Sequence, residues 1–256
     1  MIYIFYTCII IGILLLVRMY FIAHENHVHY LSLTYNTFPS SVEKLTIFFI
    51  SDIHKRIVDE TIINEIKEQT DIVVIGGDLT EKNVPLEKTE ENLARLSKVA
   101  PVYFIWGNND FEVDKEKLLL LFEKYNVTVL ENKRIILKES VENRAINLIG
   151  VGEISFERDN LPKALQDVAD TDFNIIVCHN PEIINNITTK DNISLILSGH
   201  THGGQIRIFG MGPGKKGDLY RYPNMDHLIS NGYGTTMLPL RLGAHPETHL
   251  ITIKHK

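Results

Sequence analysis

The sequence predicts a mostly parallel α/β domain carried behind an N-terminal membrane-spanning helix, and three observations predict it. Residues 2–17 carry no charge, and beyond Arg18 the segment 19–23 is again almost wholly apolar. Downstream, short apolar runs of strand length alternate with stretches whose apolar residues recur at helical spacing, the pattern of β-α-β units. Five of the apolar runs also end in side chains that can donate oxygen or imidazole nitrogen, at the place where α/β sheets bind their ligands.

As a helix, residues 2–23 span about 33 Å at ~1.5 Å per residue, enough for a bilayer core. Arg18 can snorkel at one end, and Tyr3, Tyr6 and Tyr20 suit the interfaces. A cleavable signal peptide is the competing reading. No basic residue precedes the run and no small-x-small site follows it, so a retained single-span anchor is expected, with the cell membrane as location and partner. Arg18, the one basic residue nearby, leans toward a cytoplasmic domain without fixing the side. Residues 24–44 read either as a juxtamembrane linker or as a first strand around residues 30–35, where apolar and polar residues alternate. His24, His27 and His29 in this stretch read as solvated polar residues.

The main domain is expected over residues 45–256, long enough to bury a substantial core. Runs 45–50, 71–75 and 102–106 read as buried strands. Between and after them fall helices over 59–69, where Val58, Ile62, Ile63 and Ile66 share a face, over 86–98 and over 114–125. A short strand at 127–130 precedes strands at 134–138 and 145–150, read as a hairpin or edge pair. A short helix over 161–168, buried strands at 173–178 and 193–198, and a continuing strand at 205–209 follow. Residues 210–217 form a glycine-rich loop, and strands at 228–230 and 249–253 close the sheet system. The two cysteines, Cys8 and Cys178, provide no disulfide framework and no Cys-x-x-Cys zinc site. A net charge of −6 argues against a nucleic-acid partner, because phosphate backbones are held by Lys and Arg. A phosphate ligand must therefore meet a locally positive site.

The strand ends supply that site. They carry Asp52 and His54, then Asp78, Asn108 and His179, and finally His200 and His202. Each has a bland role available: Asp52 and Asp78 as helix caps, Asn108 as a turn residue, His179 as a satisfied loop histidine. Five strand ends in five supplying such donors is improbable by chance. Imidazole, carboxylate and amide oxygen without thiolate suit Zn²⁺, Mn²⁺ or Fe. Seven donors exceed the needs of one tetrahedral ion and suit two divalent metal ions that share a carboxylate. Two such ions outweigh the negative charge of two aspartates and a hydroxide, leaving a positive focus for phosphate on an acidic protein.

Asp52-x-His54, Gly77-Asp78, Gly107-Asn108-Asn109-Asp110, His179 and Gly199-His200-Thr201-His202 resemble, in order, the motifs of the calcineurin-like metallophosphoesterases. Gly203-Gly204-Gln205, residues 230–235, Pro239-Leu240-Arg241 and Pro246-Glu247 resemble the membrane-associated YkuE/YaeI-type branch. The resemblance covers about residues 45–254 and implies a four-layer αββα sandwich. It implies one metal on Asp52, His54, Asp78 and His202 and a second on Asp78, Asn108, His179 and His200. Asp78 bridges them, and a bridging hydroxide attacks phosphorus. One position departs from the pattern: the family usually carries Gly-Asn-His-Asp/Glu, and Asn109 stands where the histidine is expected. An amide can donate a hydrogen bond but cannot act as an imidazolium acid at neutral pH. The departure implies a preference for good leaving groups or a substitute acid, with Asp110 and His245 as candidates. Arg241 is expected to contact substrate phosphate or to pair with Glu247, and Gly203 and Gly204 to leave room for substrate. Lys215 and Lys216 read as solvated, or as touching anionic headgroups. The expected activity is hydrolysis of phosphoester or phosphoanhydride bonds in a small-molecule or lipid-linked phosphate. The alternative is a catalytically weak metal-binding scaffold, with Asn109 in its favour.

Overall fold

A strand that is apolar at every position must bury both faces, and the structure gives each face its own core. The computed structural model describes residues 1–256. After α1 (Ile2–Ala23) come β1 (Val28–Tyr35), β2 (Leu45–Ile50), α2 (Glu60–Ile66), β3 (Ile72–Ile75), α3 (Leu86–Leu96), β4 (Val102–Phe104), α4 (Lys115–Lys124) and β5 (Thr128–Val129). The second half holds β6 (Lys133–Glu139), β7 (Ala145–Gly150), α5 (Leu161–Ala164), β8 (Phe173–Val177), β9 (Leu195–Ser198), β10 (Asp218–Arg221), β11 (Asp226–Ile229) and β12 (Thr248–His255). They form two six-stranded sheets, ordered β1-β12-β2-β3-β4-β5 and β10-β11-β9-β8-β7-β6.

Ile47, Phe49 and Val74 of the first sheet meet Leu148, Ile175 and Leu197 of the second in a central core. The alternating residues Phe48, Ile50, Val73 and Ile75 pack outward beneath Ile62, Leu93, Leu118 and Phe122 of the helices. On the second sheet Ile149, Ile176 and Ile196 pack outward against Leu161, Ala164 and Ile183. The architecture is therefore the four-layer αββα sandwich. The expected helix caps also resolve: α2 is capped by Asp59 and α4 by Asp114, which leaves Asp52 and Asp78 free of that role.

Of the two readings of residues 24–44, the strand is the one observed: residues 28–35 pair in parallel with β12 from Val28↔Thr248 onward, a partner too distant for the local alternation to identify. Two segments differ from the sequence reading. Residues 205–209 are not a strand. Gln205 and Phe209 both take φ of 52°, which curls the chain into a loop with only isolated bridges. The glycine-rich loop gives way to β10, which pairs antiparallel with β11.

Helix α1 buries only its last turn, through Met19, Ile22 and Ala23. There Arg56 donates to the carbonyls of Ala23 (3.3 Å), His24 (3.3 Å) and Glu25 (3.2 Å), capping the helix, while its guanidinium stacks 3.7 Å from the Tyr233 ring. β1 is parallel to β12, and β12 is antiparallel to β2, so β1 starts where β2 and β3 end. The apolar helix consequently reaches the domain at the rim formed by the carboxyl ends of the central strands.

Two buried histidines outside the donor set, His227 and His249, set a pH dependence. Burial, with the charge of Lys215 adding, pushes His227 down to about 4, and burial, with His29 adding, pushes His249 down to about 3. Their Nε2 atoms lie 3.0 Å from Ser198 Oγ and 3.1 Å from Ser230 Oγ. Above the ordinary histidine value both states are neutral; as pH falls below it the unfolded chain binds protons that the folded chain refuses. Stability is expected to fall between about pH 6.5 and 4, each histidine adding up to ~1.4 kcal/mol per pH unit. Unfolding midpoints measured across that window should slope less steeply for His249→Gln; an unchanged slope would count against the assignment.

Candidate metal centre

The loops after β2, β3, β4, β8 and β9 bring all seven expected ligand residues to one rim. Five of them hold left-handed backbone: Asp52 (φ 55°), His54 (52°), Asp78 (52°), His200 (73°) and His202 (50°). Each such residue costs on the order of 1–2 kcal/mol and persists only where the surroundings hold it. The holding contacts are cross-braces between loops. Asp52 N–H donates to Gly77 O (3.0 Å), Ile53 N–H to Asp78 O (2.8 Å), and His200 N–H to Asp52 Oδ1 (3.1 Å). Gly199 is required there, since a Cβ would sit 2.4 Å from Asp52 Oδ2.

The side chains form two linked clusters. In one, His54 Nε2 lies 3.1 Å from His202 Nε2 and 3.7 Å from Asp78 Oδ2, and His202 Nε2 lies 3.4 Å from Asp52 Oδ1. In the other, His179 Nε2 lies 3.3 Å from Asp78 Oδ2 and 3.9 Å from Asp52 Oδ1. His200 Nδ1 sits 2.9 Å from Asn108 Oδ1, and the His200 ring is 5.1 Å from that of His179. Both carboxylates thus stand between the histidines, and Asp52 faces His179 as well as His202.

The chemistry of this donor set fits metal. His179 Nδ1–H donates to the carbonyl of Gly76 (2.8 Å), which can only accept, so in the neutral imidazole Nε2 carries the lone pair. That buried Nε2 has no hydrogen-bond partner and faces two carboxylates. His54 Nδ1 is likewise paired with Glu81 Oε2 (2.9 Å), turning its Nε2 toward the cluster. Converging lone pairs and carboxylate oxygens repel unless a cation sits among them. The electrostatics show the same demand for positive charge, which a proton on His179 meets where no cation does. Burial resists charge on Asp78, but His179, His54 and the Asn109 N–H outweigh it and hold the carboxyl below its usual range. Burial also resists protonation of His179, yet Asp78 and Asp52 pull its pKa well up. His202 goes the other way, pushed by burial down to about 4 against the pull of Asp52.

The remaining expected residues are placed differently. Asn109 is turned onto the centre: its N–H donates to Asp78 Oδ1 (2.8 Å) and its amide Nδ2 to Asp78 Oδ2 (3.0 Å). Asp110 is fully buried, accepting from the N–H groups of Asp78 (2.8 Å), Gly107 (2.9 Å) and Thr80 (3.1 Å). Burial and the nearby Asp78 push its pKa up, but no substrate oxygen can reach it, so it braces loops rather than donating a proton. His245 points away, with Nδ1 2.6 Å from Glu25 Oε2 at the foot of α1. Arg241 does not pair with Glu247 and reaches the rim only from beneath, at His202, whose Nδ1 lies 3.4 Å from its guanidinium. It is fully buried, and its guanidinium donates to the carbonyls of Asn231 (2.7 Å), Gly232 (3.1 Å) and Ala244 (3.1 Å). Gly203 and Gly204 are crowded by protein rather than left open: a Cβ would meet Asn231 Oδ1 at 1.9 Å in one case and Pro213 O at 2.2 Å in the other. Sequence reasoning missed Glu81, the partner of His54, because a glutamate beside Lys82 reads as solvated surface. Beside His200 opens a cleft of ≈ 560 Å³, lined by Asn180, Glu182, Thr201 and Lys215.

The model of the calcineurin-like phosphoesterase family matches residues 45–204. An uncharacterized protein of Bacillus subtilis (strain 168), YpbG, is 45% identical over 242 residues, covering 92% of this chain and 91% of its own length. Phosphodiesterase YaeI of Escherichia coli (strain K12) is 28% identical over 182 residues, 67% of this chain and 65% of YaeI. A transmembrane protein with metallophosphoesterase domain from Danio rerio is 30% identical over 244 residues, 84% of this chain and 54% of that protein, so this chain spans about half its length. With the family match running from β2 through the His200–His202 loop, the chain belongs to the calcineurin-like phosphoesterases.

Proposed function

We propose that the protein is a membrane-anchored, dinuclear-metal phosphoesterase that hydrolyses phosphoester or phosphoanhydride bonds, with a lipid-linked phosphate or pyrophosphate as its substrate class. The observation that carries this reading is the unpartnered His179 Nε2, held by Gly76 O in the metal-binding tautomer and aimed at Asp52 and Asp78. Asp52, His54, Asp78 and His202 would hold one ion, and Asp78, Asn108, His179 and His200 would hold the other. When bound, a pair of divalent Mn, Zn or Fe ions supplies Lewis acidity toward phosphate oxygens and a water of lowered pKa. The protein's part is to orient. Glu81 and Gly76 O fix the tautomers of His54 and His179, and Asn109 pins both oxygens of Asp78. The cleft beside His200 admits the substrate, with Lys215 supplying positive charge at its edge. Anchoring is supported by the exposure of α1, by its length and hydropathy, and by the description of the Danio rerio relative as a transmembrane protein.

The test is metal analysis of the purified full chain together with turnover of phosphodiesters, phosphomonoesters and pyrophosphates. Two equivalents of metal and hydrolysis of at least one class are expected; stoichiometric metal without turnover would favour the scaffold reading, whose support is Asn109. Asn109 also sets a finer expectation. With Asp110 and His245 both directed elsewhere, neither replaces the missing imidazolium, so good leaving groups should be preferred. Asn109→His should then raise turnover of poor leaving groups on the order of 10²-fold and leave good ones nearly unchanged. Equal gains on both would contradict it.

A further inference from the structure

Two loops beside the metal centre expose apolar side chains that the domain does not use. Phe209 is 96% exposed, Met211 72% and Ile208 57%, and on the second loop Met237 is 86% and Leu238 63%. The loops are joined, since Arg207 N–H donates to Leu242 O (2.6 Å). They are also stiff. Ile208 and Met211 exchange backbone hydrogen bonds (2.9 and 3.0 Å) around Phe209 and Gly210, whose φ of 52° and 79° follow the primed hairpin turns. Arg207 donates to the carbonyls of Gly203 (2.9 Å) and Gly210 (3.0 Å) from inside the loop. Phe209 and Met237 (φ 57°) are thus large apolar residues held in strained backbone and presented to the outside.

The second loop is fastened to the apolar helix, through Arg241 N–H donating to Met19 O (3.1 Å). Met19, Ile22 and Ala23 form the last turn of α1, the only part the domain covers. A bilayer surrounding the exposed length of α1 therefore ends at the level where residues 237–241 attach, and meets the exposed loops there. We propose that residues 208–211 and 237–238 insert into the interfacial layer of the bilayer that α1 crosses, seating the metal-centre rim on the membrane surface. Lys215 and Lys216 follow Met211 within a few residues and meet anionic phospholipid headgroups. Lys215 also lines the cleft beside His200, so the stretch from Met211 to Lys215 leads from the buried tips to the site. A phosphate on a membrane lipid then reaches the centre without leaving the bilayer. This inference rests on the anchored reading given above.

The test uses the full chain in phosphatidylcholine–phosphatidylglycerol vesicles whose acyl chains carry bromine, a quencher of tryptophan. Trp106 is the single native tryptophan and is buried, so it contributes a constant background. Phe209→Trp and Met237→Trp report on the two loops. Ile10→Trp reports on the helix, and Val141→Trp, 89% exposed in the β6–β7 turn at the opposite end of the strands, reports on water. Vesicles should blue-shift emission from positions 209 and 237 and bromine near the headgroups should quench it, bromine at the chain ends should quench position 10, and position 141 should respond to neither. If position 10 is quenched while both loop positions behave like 141, the loops ride in water and the proposal fails with the anchor intact. If position 10 is not quenched, the anchored reading fails and the proposal with it.

Discussion

Asp78→Asn is expected to abolish stoichiometric metal binding and to lower phosphoesterase turnover by about a thousandfold or more. Asp78, like Asp52, faces both clusters, with Oδ2 3.7 Å from His54 Nε2 and 3.3 Å from His179 Nε2. The asparagine keeps the shape and can still accept from the Asn109 N–H, so the substitution removes charge rather than packing. Shared Lewis-acid stabilisation amounts to several kcal/mol of transition-state energy, and each ~1.4 kcal/mol is tenfold in rate. His179 and His54 outweigh burial in holding this carboxyl below its usual range, so its charge also stabilises the metal-free fold and the chelated variant should melt somewhat below wild type. The expected pattern is lost metal, lost turnover and a folded apo protein of modestly lower melting point. A variant that retained two metals and full turnover would remove Asp78 from the centre.

The strand-end donors were legible because their chemistry is carried by residue type: Asp, Asn and His cannot be mistaken for core after runs such as 45–50 or 173–177. The backbone that presents them was not. Left-handed φ is legible where glycine stands, but Asp52, His54, Asp78, His200 and His202 give no such signal, since the strain is imposed by hydrogen bonds from loops distant in sequence. The four layers were similarly hidden. Continuous apolar strands say that two faces are covered, yet whether by helices or by a second sheet depends on pairings such as β1 with β12. Glu81 and Arg56 were missed for a related reason. A charged side chain reads as solvated until the fold shows the imidazole or the helix end it reaches. Arg241 is the sharpest case: guanidinium suits phosphate chemically, but burial directs it to carbonyls instead.

That placement gives Arg241→Met a large expected effect on stability. The guanidinium ties the carbonyls of Asn231, Gly232 and Gly234 to those of His202 and Ala244, so it joins the loop after β11 to the histidine loop and to the approach to β12. Burial lowers its pKa to about 10, with Asp52 opposing the shift, so it stays charged at neutral pH. No carboxylate lies within ion-pair distance; the charge is offset by carbonyl dipoles, with Asp52 and Glu247 acting at longer range. Methionine fills the volume but strands those carbonyls without donors, a loss of about 3–5 kcal/mol, or a fall of ~10 °C in melting temperature for a domain of this size. Arg241→Lys should recover little, because an ammonium cannot reproduce a planar fork of five donors. His202 should lose its position in both variants, so metal on the Asp52–His54–His202 side should weaken before metal on the His179 side. A melting temperature left unchanged, with only the KM for phosphate substrate raised, would instead return Arg241 to the substrate-contacting role its side-chain chemistry suggests.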